Sequence, residues 1–252
     1  MAALLVAAAL LSTCSSAPDR ALPAVTEDTL KGAPAQPSAG GDPSPAAADG
    51  SGLPLVIFLG DSITAGYGLA GDDAFPALVE RDLAGQGLSV RAVNAGVSGD
   101  TTSGGLGRLD WLLRQEPYLI VVELGANDGL RGLPLEMIEK NLRQIITRCR
   151  ESGARVLLTG MRIPPSYGPE YSEGFAAIFP RLADEMSVPL IPFLLEGVAG
   201  NPSLNLPDGI HPTAEGHAIV AATVSRAIEV ILQSREWRSA VSSGPPLLKR
   251  PA

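Results

Sequence analysis

The sequence predicts an α/β protein whose five-stranded parallel β-sheet is covered by helices on both faces. Two observations lead to this prediction. Short apolar runs typical of strands alternate along the chain with segments whose apolar residues recur at helical spacing, as in proteins built around a parallel sheet. The first and third of these runs are apolar almost throughout, which is expected of strands that are buried on both faces.

The first three strands are predicted at residues 53–59, 90–93 and 118–124. The last of these is apolar except for Glu123. A helix is predicted after each of the first two strands, because apolar residues recur there about every three or four positions. In chain order these residues are Phe75, Leu78, Val79 and Leu83, and then Leu106, Leu109, Leu112 and Leu113.

The rest of the domain continues the alternation. Strands are predicted at residues 155–158 and 188–194, with a helix at about 175–186 between them. Helices are also predicted before the fourth strand and after the fifth. Their apolar faces consist of Ile138, Leu142, Ile145, Ile146 and Cys149, and of Val220, Val224, Ala227, Ile228 and Ile231. We therefore interpret Cys149 as a small buried hydrophobic residue rather than a reactive thiol.

Composition divides the chain into a domain and its flanks. Residues 53–237 carry nearly all of the strand and helix patterning and predict one domain with a substantial core. Residues 15–52, rich in Ala, Pro, Ser and Gly, predict a disordered linker, and residues 238–252 predict a disordered tail. Residues 1–14 predict a signal peptide, because the apolar run at residues 2–11 is too short to span a bilayer.

The end of this leader, Leu11-Ser12-Thr13-Cys14, resembles a bacterial lipobox, although that motif prefers Gly, Ala or Ser at the position of Thr13. The resemblance implies that Cys14 is lipidated and anchors an exported, periplasmic protein to a bacterial membrane. Two alternatives stay open. The leader is cleaved without lipidation, or residues 1–14 are a disordered extension with a chance apolar run. We expect the protein to be a monomer.

Charge and motifs exclude several classes of protein. The net charge of −8 argues against nucleic acid as a partner, because phosphate binding needs a basic surface. The sequence has no GxxxxGK[ST] motif and no Gly-Lys dipeptide, which excludes a P-loop nucleotide enzyme. The glycines of residues 60–68 are not spaced as GxGxxG, so a dinucleotide site is not expected.

Polar segments follow four of the predicted elements, at residues 60–64, 98–102, 125–128 and 208–211. Open parallel sheets bind their ligands beyond the carboxyl ends of the strands, so we expect these segments to meet at one edge. In the first of them, Ser62 lies in a glycine-edged turn at the tip of a buried strand. Its hydroxyl is placed there to act as an exposed nucleophile.

A serine hydroxyl is a weak nucleophile and needs an adjacent base. The chain has two histidines, His211 and His217. His211 lies in a loop constrained by Pro212, and Asp208, three residues earlier, can reach one imidazole nitrogen while the other faces Ser62. His217 falls in the first turns of the last helix, where we expect a solvated or capping side chain.

Acyl transfer also needs hydrogen-bond donors at the position where the oxyanion develops. The side-chain amide of Asn127 and the backbone N–H groups of Gly99 and Ser62 are the candidates. Asp61 and Asp128 are also present in these segments. We interpret them as acceptors that organise their loops rather than as catalytic groups.

Together these segments resemble the SGNH (GDSL) hydrolase family, and within it the bacterial multifunctional thioesterase, arylesterase and lysophospholipase L1 group. The matching motifs, in family order, are Gly60-Asp61-Ser62, Ser98-Gly99-Asp100-Thr101, Gly125-Ala126-Asn127-Asp128 and Asp208-Gly209-Ile210-His211-Pro212. The resemblance spans residues 53–235. Ala126 stands where the group often has a second glycine.

This resemblance implies a flavodoxin-like three-layer α/β/α fold. It also implies that Ser62 is the nucleophile and that Asp208 and His211 complete a catalytic triad. Gly99 and Asn127 are then the oxyanion donors, and no metal or organic cofactor is expected. The implied activity is hydrolysis of small-molecule or lipid acyl esters and thioesters.

Two other functions stay open at this point. A metal-dependent phosphoesterase could use Asp61, Asp128, Asp208 and His211 as ligands, although two histidines are few for a site with two metal ions. A non-catalytic exported binding module could retain the fold, but the presence of every nucleophile, base and donor position argues against it.

The substrate is the least determined part of the prediction. Tyr67 and Tyr167 are expected to line the cleft, and Leu130 and Ile163 to form an apolar acyl groove. Such a groove suits medium-length acyl chains and aromatic esters. Carbohydrate O-acetyl ester hydrolysis is an alternative within the same family.

Overall fold

The structure is a computed structural model, and it describes residues 52–233. The predicted signal peptide with Cys14, the predicted linker up to residue 51 and the predicted tail lie outside the described residues. Residues 234–237, at the end of the predicted domain, also lie outside them.

Five parallel strands form the sheet, in the order β2-β1-β3-β4-β5. This is the flavodoxin-like order, in which the chain first adds a strand on one side of β1 and then crosses to the other side. The strands are β1 (Leu55–Gly60), β2 (Arg91–Gly96), β3 (Leu119–Glu123), β4 (Arg155–Thr159) and β5 (Leu190–Ile191).

The helices of the described residues form two packed groups. One group pairs α2 (Phe75–Gly85) with α7 (Ala214–Gln233), and the other joins α3 (Thr102–Leu113), α5 (Leu135–Glu151) and α6 (Pro169–Met186). These groups cover the sheet, which confirms the predicted fold class. Two further helices are short: α1 (Ser62–Ala65) and α4 (Ala126–Leu130). None of the helices in residues 52–233 has the length and apolar character that a membrane span requires.

Apolar residues of the central strands form the core. Every residue of β1 and β3 is buried, including the apolar runs that predicted these strands. Cys149 is fully buried on the inner face of α5. Burial raises the pKa of its thiol to about 12, which confirms the interpretation of Cys149 as a small buried hydrophobic residue.

The structure corrects several predicted boundaries. The fifth strand is only Leu190–Ile191 instead of residues 188–194, because the chain bends at Pro192 and the N–H of Leu194 then turns back to the carbonyl of Gly160, at 3.0 Å. Helix α3 begins at Thr102, ahead of its first apolar residue, because the hydroxyl of Thr101 accepts from Gly104 N–H and caps it. The short helices α1 and α4 were not predicted, because four or five residues are too few to show a helical period.

Candidate active site

Ser62 is the first residue of α1, directly beyond the carboxyl end of β1. Asp61 caps this short helix, since its Oδ1 accepts from Ile63 N–H at 3.0 Å. Gly60 has no room for a side chain: a Cβ atom there would lie 1.9 Å from Thr64 Oγ1. The glycine therefore allows the turn to fold tightly and brings the serine to the sheet edge.

His211 and Asp208 lie on a tight hairpin that precedes α7. The hairpin is closed by a hydrogen bond from Leu206 N–H to the carbonyl of His211, at 2.7 Å. Inside it, Oδ1 of Asp208 accepts from the N–H groups of Ile210 and His211, at 2.9 and 3.0 Å. The loop thus fixes the carboxylate against the backbone of the histidine that it faces.

The three side chains form one hydrogen-bonded series. His211 Nδ1 lies 2.7 Å from Asp208 Oδ2, and His211 Nε2 lies 2.8 Å from Ser62 Oγ. Burial opposes ionisation of Asp208, but hydrogen bonds from the backbone of His211 and Ile210, together with the side chain of His211, outweigh it. The pKa of this carboxyl therefore lies below its usual value. An ionised Asp208 can hold the proton on Nδ1, which leaves Nε2 free to accept the proton of the serine.

Asn127 and Gly99, the predicted oxyanion donors, follow β3 and β2 at the same sheet edge. Asn127 Nδ2 donates to Asp61 Oδ2 at 3.0 Å. An amide nitrogen carries two hydrogens, so this bond orients the group and leaves a second N–H for a ligand. Gly99 has a φ of +79°, a conformation that favours glycine, and its carbonyl accepts from Arg131 Nη2 at 2.9 Å.

Comparison with known proteins shows the family of this chain. The model of the GDSL-like Lipase/Acylhydrolase family matches residues 58–219. The chain belongs to this family. It is 42% identical over 174 residues to an arylesterase of Vibrio mimicus, covering 69% of this chain and 87% of the relative. It is 40% identical over 178 residues to thioesterase 1/protease 1/lysophospholipase L1 of Escherichia coli, covering 70% and 84%.

A solved structure supports the same assignment. The crystal structure of TesA superposes with a TM-score of 0.68 at 41% identity, covering 71% of this chain and 99% of that chain. The chain is therefore a serine carboxylic ester hydrolase of the GDSL-like family, with the α/β fold of SGNH hydrolases.

The two aspartates that were interpreted as loop acceptors have that role in this GDSL-like hydrolase. Asp61 caps α1, as described above. Asp128 is fully buried and accepts from Thr102 N–H and Thr102 Oγ1–H, at 2.8 and 2.6 Å. Within residues 52–233, no three side chains of His, Cys, Asp or Glu are grouped so that they could hold a metal ion. The alternative of a metal-dependent phosphoesterase thus lacks a ligand set in the described part of the chain.

The residues predicted to bind substrate fall into two groups. Tyr67 lies beside the catalytic side chains, whereas Tyr167, Leu130 and Ile163 lie on or next to α4. Tyr67 lies beside the site, with its ring centroid 4.5 Å from that of His211. Tyr167 is exposed and its hydroxyl donates to the carbonyl of Leu130 at 2.8 Å. Ile163 is buried, and a side chain on Gly129 would meet it at 2.7 Å. Ile163 therefore packs beneath the segment that carries Leu130 rather than on an open surface.

Arg108 organises the site, although the sequence did not predict this role. Its guanidinium donates to the carbonyls of Ala95 and Gly60, at 2.6 and 2.9 Å, and to Asp100 Oδ2, at 2.8 Å. It therefore ties the ends of β1 and β2 to the loop that carries Gly99. Nothing in the sequence around Arg108 indicates this, because each of its partners lies on another element.

Glu123 was missed as well, although the sequence held a signal. It is the one charged residue in the apolar run that became β3, and in the structure its side chain is fully buried. A charged residue in a strand that is buried on both faces is rare unless it is paired or functional.

His217 caps a helix but is not solvated, so the solvated alternative in its prediction was wrong. Its side chain is buried, and Nδ1 accepts from the N–H of Phe75 at the start of α2, at 3.1 Å. Nε2 is buried without a hydrogen-bond partner among the described residues. Burial, with a smaller contribution from His211, lowers the pKa of His217 to about 4.

This pKa predicts an acid-sensitive contribution to folding. The unfolded chain takes up a proton on His217 below pH 6.5, whereas the folded chain does so only near pH 4. The free energy of unfolding therefore has its full value above pH 6.5. It decreases by about 3 kcal/mol in total as the pH falls towards 4. Urea unfolding at several pH values should show that His217→Asn loses less stability over this interval than the wild type. Parallel curves for the two proteins would contradict the prediction.

Proposed function

We propose that this chain hydrolyses acyl esters and thioesters through a Ser62–His211–Asp208 triad, with activity of the arylesterase, lysophospholipase and acyl thioesterase type. One observation carries the proposal. The imidazole of His211 bridges Ser62 Oγ and Asp208 Oδ2 at hydrogen-bond distance on both sides. This is the arrangement in which a histidine activates a serine and a carboxylate fixes its tautomer.

In the first half of the proposed reaction, His211 Nε2 takes the proton of Ser62 as Oγ attacks the carbonyl carbon of the substrate. The tetrahedral intermediate then collapses, and the alcohol or thiol leaves with the proton from His211. Asp208 stays ionised and stabilises the imidazolium. In the second half, His211 takes a proton from water as the water attacks the acyl-serine. The bond to Ser62 Oγ then breaks, Oγ takes the proton back from His211, and the acid is released.

The oxyanion of both intermediates needs donors that are already in position. We assign this role to the backbone N–H groups of Ser62 and Gly99 and to the free side-chain N–H of Asn127. The three groups follow β1, β2 and β3, so a single substrate oxygen above the sheet edge can meet all of them. Their positions are supported by the bonds from Asn127 to Asp61 and from Arg131 to Gly99.

The acyl class is proposed from the relatives and from the apolar residues near the site. The Vibrio mimicus relative is named an arylesterase, and the Escherichia coli relative a thioesterase and lysophospholipase. Beside the Ser62 site the chain exposes Val97 and Ile210, which directly precede Ser98 and His211. We assign an apolar acyl chain or an aryl group to this surface together with Tyr67.

A substrate panel tests the proposal. We expect turnover of p-nitrophenyl esters, acyl-CoA thioesters and lysophospholipid, with activity unchanged after dialysis against a chelator. Activity confined to acetylated sugars would instead support the O-acetyl esterase alternative. Activity lost on chelation and restored by a metal ion would contradict the serine mechanism.

A further inference from the structure

Glu123 connects the end of β3 to the turn that carries Ser62. Its Oε2 accepts hydrogen bonds from Asp61 N–H at 3.1 Å, from Thr64 N–H at 3.3 Å and from Thr64 Oγ1–H at 2.7 Å. The donors lie on both sides of Ser62 in the chain. One oxygen atom therefore holds the backbone of the serine turn from below, at a position with no access to solvent.

The surroundings of the second oxygen, Oε1, indicate whether the carboxyl of Glu123 is ionised or neutral. Oε1 is buried without a hydrogen-bond partner among residues 52–233, and the carboxyl of Asp61 interacts with that of Glu123. Complete burial, and then the neighbouring charge of Asp61, raise the pKa of Glu123 well above its usual value. A buried carboxylate with one oxygen unpartnered and a second carboxyl beside it would be costly. The proton of the pair therefore belongs on Glu123.

The same contacts reach the oxyanion donor. Glu123 fixes the backbone of Asp61, and the side chain of Asp61 holds Asn127 by the 3.0 Å bond described above. Asn127 is also four residues after Glu123 in the chain, on the segment that leaves β3. Glu123 thus lies between the nucleophile turn and the oxyanion segment and contacts neither the reacting oxygen of Ser62 nor the amide of Asn127 directly.

We propose that Glu123, as a neutral carboxylic acid, is a positioning residue for ester hydrolysis that sets the Ser62 turn and, through Asp61, the amide of Asn127. This inference rests on the proposed function. An apolar side chain at this position could fill the same volume, but it would leave the N–H groups of Asp61 and Thr64 unpaired in the core. The turn would then relax, and the serine would leave its position opposite His211.

Substitution of Glu123 separates positioning from substrate binding. E123A is expected to lower kcat by roughly 10- to 100-fold with little change in KM, because a displacement of about 1 Å at a reacting group costs up to this much. E123Q is expected to recover most of the lost kcat, because its amide oxygen accepts the same three bonds and its NH₂ group can donate to Asp61. An E123Q enzyme as slow as E123A would contradict the neutral role, and a loss confined to KM would contradict positioning.

Two substitutions of Thr64 test the same hydrogen bond from the side of the donor. T64V removes the hydroxyl that donates to Glu123, whereas T64S keeps it. We expect T64V to lower kcat several-fold, T64S to lower it less, and T64V to have no further effect in the E123A background, because coupled residues are not additive. Fully additive losses would contradict the inference. This pair also keeps the test open if E123A does not fold.

A third variant controls for loss of a buried polar group alone. Thr159 is fully buried on β4 and its hydroxyl donates to the carbonyl of Val122 rather than to Glu123 or the Ser62 turn. T159V should lower the stability to urea without lowering kcat.

If wild-type activity did not depend on Ser62, the proposed function would fail. If it did depend on Ser62 but E123A kept the wild-type kcat, the role of Glu123 alone would fail.

Discussion

Replacement of Ser62 by alanine is expected to lower kcat/KM for a p-nitrophenyl ester by at least ~10³-fold, the scale of losing a triad member. The reason is geometric. Ser62 Oγ is the atom that His211 Nε2 contacts at 2.8 Å, and alanine leaves no nucleophile there. Ser62 is the first residue of α1, and the capping bond of this helix comes from Asp61. The S62A substitution should therefore leave the fold unaffected. The measurement is steady-state hydrolysis together with thermal unfolding.

The matched control is Ser103→Ala. Ser103 is an exposed serine on α3, close in sequence to the Gly99 loop, and its loss should leave kcat/KM unchanged. If S62A retained turnover within about 10-fold of the wild type, Ser62 could not be the nucleophile.

Asp208→Asn is expected to lower kcat by roughly 10³- to 10⁴-fold with little change in KM. Asparagine keeps Oδ1, which accepts from Ile210 and His211, so the hairpin should be preserved. It replaces Oδ2 with an NH₂ group, which cannot accept from His211 Nδ1–H. The imidazole then adopts the other tautomer, with its proton on Nε2, and cannot accept the proton of Ser62.

The measurement is kcat and KM for D208N beside Asp110→Asn, an exposed aspartate that pairs with Arg148 on the helix surface. D110N should behave as the wild type. A D208N enzyme with kcat above about one tenth of the wild-type value would show that Asp208 does not fix the histidine.

Much of the fold could be predicted because β1 and β3 are buried on both faces. An uninterrupted apolar run identifies such strands without any knowledge of their neighbours. The length of β5 could not be predicted in this way, because the chain bends at Pro192 although the apolar run continues to Leu194. The short helices α1 and α4 exist because of caps and contacts at the sheet edge, and these do not appear as a period in the sequence.

The residues of the candidate site also differ in how far the sequence could predict them. Asp208 and His211 could be paired because they are three residues apart on one loop, and Ser62 because the carboxyl ends of parallel strands share an edge. The contacts of Glu123 and Arg108 could not be assigned in advance, although Glu123 stood out as the one charged residue of its apolar run. Glu123 contacts groups 59 and 62 residues away in the chain, and Arg108 reaches a carbonyl 48 residues away. Such contacts depend on strand order, which only the fold supplies.

Covalent labelling of Ser62 by an organophosphonate tests the central claim most directly. The reagent needs an activated serine and an oxyanion site at the same time, so its reaction reports the whole arrangement. We predict that peptide mass spectrometry finds the phosphonate on Ser62, that labelling abolishes turnover, and that D208N is labelled far more slowly. A label on another residue, or full esterase activity in enzyme that stays unlabelled, would contradict the account.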